Sequence, residues 1–215
     1  VNPRPHPADA PIPFAADYAD ALLVLRRSKS AIELLLLLML LLLIGLFVTV
    51  RYADVLPVAH ADNGHATSPL SDGLLYATAS VQSLGLILGI LLPVVLILMH
   101  HVMLVGRLLG LARVTAGLVW SIFLLLMLIP WQTMLAVEGL GRPDVVIPGV
   151  MFGWRELLAG ARFDEAGLQG ALRWFRFVGA PVIAIVVLLI VRINSGRGIR
   201  LALGEDRLPD ELMNP

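Results

Sequence analysis

From Ala31 to Val50 the chain is almost unbroken Leu, Ile, Val, Phe and Met, interrupted by Glu33, Gly45 and Thr49. At 1.5 Å per helical residue, roughly 20 such residues cross the ~30 Å hydrocarbon core of a bilayer. Further apolar stretches lie at about 76–105, 114–137 and 176–195. The expectation is an all-α integral membrane protein with four transmembrane helices and flanking interfacial helices. Composition points the same way. The chain is 58% hydrophobic and 15% charged, whereas soluble domains are about 45–50% apolar and roughly 25% charged. Its formal net charge of zero gives no bulk attraction to nucleic acid. The absence of cysteine removes disulfides, thiolate metal sites and cysteine nucleophiles.

The organisation follows from what separates the spans. Residues 1–13 hold five prolines, each lacking a backbone donor and fixing φ, so an extended arm is expected there. Residues 14–30 read as an amphipathic helix, with Phe14, Tyr18, Leu22 and Leu25 on one face. Its early Asp17 and Asp20 and late Arg26, Arg27 and Lys29 complement the helix dipole. It is expected either in the headgroup region beside the first span or as a plain extension of that span. The membrane domain then runs over 31–195, with outer segments at 51–75 and 138–175, and a polar tail occupies 196–215. A cleaved signal is the competing reading of the first run. The run is too long for one, and Ala59-His60-Ala61 lies well beyond its end, so a retained span is expected.

The turn with Gly106, Arg107 and Arg113 is short enough to make spans two and three an antiparallel hairpin. Pro130 and Trp131 read as a kink and an aromatic anchor at the end of the third span. Ahead of the fourth, Leu168, Leu172 and Phe175 share a face displaced from Arg173 and Arg176. Trp131, Arg173, Trp174 and Arg176 are therefore the expected interfacial anchors. Four spans put both termini on one side. Arg26, Arg27, Lys29, Arg107, Arg113, Arg192, Arg197 and Arg200 then favour the cytoplasm for that side by the positive-inside rule. Lys29 is the sole lysine among sixteen basic residues, a habit associated with GC-rich genomes, hence an expectation of a bacterial cytoplasmic membrane.

Few residues suggest chemistry. His100 and His101, late in the second span, admit two readings: wet side chains at headgroup level, or a haem b ligand, quinone donor or proton relay. A bis-histidine haem would need a second histidine at similar depth on another span, and His6, His60 and His65 lie outside the spans. In the first outer loop His60 and His65 accompany Asp54, Asp62 and Asp72 without the spacing of a metal motif. Gly85-x-x-x-Gly89 followed by Pro93 is a small-x-x-x-small pattern for close helix packing, with a proline able to bend the helix. Glu33 and Glu138 fall near span ends, where a solvated carboxylate is the ordinary expectation, and Arg142, Asp144, Arg155 and Glu156 read as surface pairs.

The chain carries no phosphate loop, nucleophile elbow or metalloprotease motif. The leading expectation is a non-catalytic membrane subunit, packed against other membrane protein subunits or its own copies in a larger assembly. The alternative is a haem- or quinone-associated electron-transfer subunit using His100 or His101. A small oligomeric transporter or channel lined by Gln82 and Gln132 is a third.

Overall fold

The structure is a computed structural model that describes residues 13–52, 69–131, 149–154, 156–157 and 167–205. About 89% of these are helical, with no strand among them, and four helices are long and apolar enough to cross a membrane. The fold class is that of an all-α membrane protein. Hydrocarbon offers backbone N–H and C=O groups no water, so an apolar run there must satisfy them internally as a helix.

Helix α1 spans Pro13–Tyr52, α2 Pro69–Val105 and α3 Leu111–Leu128. A short α4, Leu168–Trp174, passes through a π-helical turn, Phe175–Gly179, into α5, Ala180–Ala202. Around the bundle α1 packs on α2, α2 on α3, α3 on α5 and α5 on α1. The start of α1, the α2–α3 turn and the end of α5 share one end, as the contacts of Lys29 with Ser195 and of Gly110 with Gly198 require.

The choice left open for residues 14–30 is answered by α1, which runs unbroken from that segment into the apolar run. Ser28-Lys29-Ser30-Ala31 contains no proline or glycine to stop it. At 40 residues α1 is about 60 Å long, twice the hydrocarbon thickness, so its first part stands clear of the apolar slab. Helix α2 starts at Pro69, ahead of the apolar run, and passes through a buried Pro93. Helix α3 stops at Leu128, where Ile129 turns extended. That is short of 137, and Pro130 disfavours helical conformation for the residue before it.

The core is built from stripes at helical spacing, with Leu36, Leu40, Leu43 and Phe47 buried on α1 and Leu92, Leu96 and Met99 buried on α2. The outward faces are apolar too, Leu34, Leu38 and Leu41 among them being half exposed or more. That is the pattern of helices bathed in lipid.

The π turn has a local cause. Pro181 has no N–H for the Phe177 carbonyl, and its ring crowds that carbonyl. The helix widens just upstream, and the Ala180 N–H reaches back to the Phe175 carbonyl. The widening re-aims the preceding residues, and Arg176 and Phe177 both end up buried.

Candidate functional site

Two polar knots hold the bundle, one at each end. At the end carrying the start of α1 and the end of α5, Lys29 donates to Glu33 Oε1 at 2.8 Å and to Ser195 Oγ at 3.0 Å. Ser195 in turn donates to the Val191 carbonyl at 2.6 Å. The Lys29 and Glu33 side chains are 3% and 2% exposed. Lys29 and Glu33 are one turn apart on α1, the spacing at which helical side chains meet. Ser195 lies on α5, which glycines allow to pack closely on α3. A Cβ on Gly117 would sit 3.1 Å from that of Ser195, and one on Gly198 would sit 2.7 Å from Val114 Cγ2. Gly110, at φ +89° in the α2–α3 turn, lies directly against the Gly198 carbonyl. Both the turn and this close approach call for glycine.

Beside this knot opens a cleft of about 600 Å³ between α1 and α5, lined by Arg26, Lys29, Glu33, Arg192, Arg197 and Arg200, with Leu189, Ile193 and Ile199 as its apolar part. Arg26 also pairs with Glu205 at 2.9 Å in the open, a contact of little energetic weight.

At the opposite end Arg176 sits 2% exposed. Its Nε donates to Glu156 Oε1 at 2.6 Å, and its two terminal nitrogens reach the carbonyls of Gly149 and Met151 at 3.4 and 3.5 Å. The side chain of Arg176, expected as an interfacial anchor, turns into the protein and ties Gly149, Met151 and Glu156 to the fourth span. An aromatic ladder backs it. Phe177 stacks on Phe47 at 5.0 Å and meets the edge of Phe152 at 5.0 Å, while Trp174 abuts Phe47 at 5.4 Å. Of the other anchors, Trp174 and Arg173 remain partly exposed, and the Trp131 indole donates to the Leu126 carbonyl at 2.8 Å.

His100 and His101 are half-buried and exposed respectively, their rings 6.2 Å apart. Thr115 Oγ1 lies 3.2 Å from His100 Nδ1, and His101 Nδ1 lies 2.8 Å from the Ile97 carbonyl. A carbonyl only accepts, so His101 carries its proton on Nδ1 when neutral, which leaves Nε2 with a lone pair. Gly85 and Gly89 face different neighbours. The first lies against Met39 of α1 and Met151, and the second against Leu128 of α3. Pro93 is buried between them and the histidines.

Glu33, expected to be solvated, is buried, because the ammonium one turn earlier neutralises it. The i,i+4 spacing of Lys29 and Glu33 was the signal in the sequence. Nothing in the sequence flags Ser195, which lies 166 residues from Lys29. No group of three or more His, Cys, Asp and Glu that could hold a metal occurs among the described residues. His60, His65, Asp54, Asp62, Gln132, Glu138, Arg142, Asp144 and Arg155 lie outside them. Comparison with known proteins finds no family, no curated relative and no solved structure that matches this chain.

Proposed function

We propose that this chain is a non-catalytic integral membrane subunit, a compact four-helix element that packs as an accessory component of a larger membrane protein assembly. The observation that carries this reading is how its buried polar groups are used. Lys29, Glu33 and Ser195 fasten α1 to α5, and Arg176 with Glu156 fastens residues 149–157 to the fourth span. Among the described residues every buried side-chain nitrogen and oxygen has a hydrogen-bond partner. Ionisable groups within a membrane protein commonly mark a pathway or reaction centre; here they are engaged in joining helices. The reading places both termini in the cytoplasm of a bacterial cell, on the basic residues of Arg26–Lys29 and Arg192–Arg200. Gentle extraction from native membranes and native electrophoresis test it. Migration with stoichiometric partner chains is expected, and a monodisperse monomer would refute it.

A second reading rests on the His101 tautomer. An imidazole with Nδ1–H held by a carbonyl presents Nε2 as a ligand to haem iron or an acceptor to a quinol. It requires a reduced-minus-oxidised absorption signal that follows the purified chain and vanishes in His101→Ala. A colourless chain with no quinone in its extract removes this reading.

A further inference from the structure

The cleft between α1 and α5 has features that holding the bundle together does not require. Five basic residues line it against one carboxylate. Lys29 and Glu33 cancel each other and Arg26 pairs with Glu205, so the positive excess of the cleft comes from α5. Arg192 and Arg197 are exposed. Guanidinium groups match phosphate oxygens, as they do carboxylate oxygens, in paired hydrogen bonds, and phosphate is the oxyanion abundant at a bilayer surface.

Depth decides where that phosphate comes from. The cleft lies where the apolar stretch of α5 gives way to Arg192 and where α1 passes from Ser30 into its apolar run, the level of the headgroups. Its inner part is formed by Leu189 and Ile193, 44% and 51% exposed, on the lipid-facing surface of α5. A free anion has no use for that apolar wall, whereas an acyl chain does.

We propose that this cleft binds the phosphate headgroup of one anionic phospholipid, held by Arg192 and Arg197, with an acyl chain descending along Leu189 and Ile193. Basic pockets between transmembrane helices at headgroup level suit such lipids in general. Arg107 and Arg113 sit exposed at the same end but outside the cleft, and so report diffuse attraction alone.

The test uses the full chain in detergent, with phosphatidylglycerol, cardiolipin or phosphatidylcholine added and bound lipid counted by native mass spectrometry. One anionic lipid retained per chain, in preference to phosphatidylcholine, is expected. Arg192→Gln with Arg197→Gln should weaken it roughly fivefold per arginine, about 25-fold together, and Arg107→Gln with Arg113→Gln should leave it unchanged. The melting temperature of the cleft variant in pure phosphatidylcholine nanodiscs should equal that of the parent, which separates lost binding from lost folding. Equal weakening by both arginine pairs, or no stoichiometric anionic lipid, overturns the proposal. Protection by millimolar inorganic phosphate as strong as that by lipid would also overturn it, assigning the cleft to free phosphate.

Discussion

Breaking the Lys29–Glu33 pair on one side should be far worse than removing both partners. At 2.8 Å and an effective dielectric constant of about 20, the Coulomb attraction is about 6 kcal/mol. Burial of the two ions costs several kcal/mol each, so the pair roughly offsets its own desolvation. Glu33→Ala leaves the Lys29 ammonium buried with Ser195 as its sole remaining partner, and Lys29→Met leaves the Glu33 carboxylate buried without a cation. Each should destabilise the bundle by about 3–5 kcal/mol. The double variant Lys29→Met with Glu33→Leu, of similar volume and wholly apolar, should lie within about 1–2 kcal/mol of the parent. Unfolding by dodecyl sulfate titration in mixed micelles, followed by the fluorescence of the four tryptophans, gives the three differences. Ser195→Ala, which removes the second acceptor of Lys29, should cost about 1.5–3 kcal/mol, the range for a hydrogen bond to a charged group. If either single variant unfolds within about 1 kcal/mol of the parent, or if the double variant shows the sum of the singles, the pair is not the buried, mutually dependent unit described here.

Other outcomes follow from the packing. Gly198→Val should push α5 off α3, because Val114 and the Gly110 carbonyl occupy the space of the new side chain. A loss of about 1–3 kcal/mol is expected in the same unfolding assay, and an unchanged midpoint would mean that the helices stand further apart. Phe47→Ala removes a ring that touches both Phe177 and Trp174 and should cost about 3–5 kcal/mol, again read from the unfolding midpoint. Arg176→Met should release residues 149–157 from the fourth span, since Glu156 and the Gly149 and Met151 carbonyls lose their shared donor. Limited proteolysis should then cut this region faster while the four spans persist.

How much of this was legible in the sequence differs from element to element. The apolar run at 31–50 announced a span, and the turn at Gly106 announced a hairpin, since both signals are local. The continuity of α1 past Ser30 was an even choice on composition. The structure has one helix there, in which Lys29 pairs one turn on with Glu33 as the chain passes into its apolar run. The π turn was hidden although Pro181 was in plain view. The sequence does not say whether a proline near a helix start opens a new helix or widens an old one.

What the sequence alone determined is the solvent of this protein and the number of its crossings, because hydropathy summed over twenty residues is insensitive to how each helix is rotated. What only the tertiary structure decided is which face of each helix turns inward. That rotation brings Ser195 to Lys29, turns the Arg176 side chain into the protein, and gathers arginines from α1 and α5 around one cleft. Rotation and register are set by close contacts such as Gly117 on Ser195 and Gly110 on Gly198. These contacts join positions far apart in the chain, and no local pattern of residues encodes them.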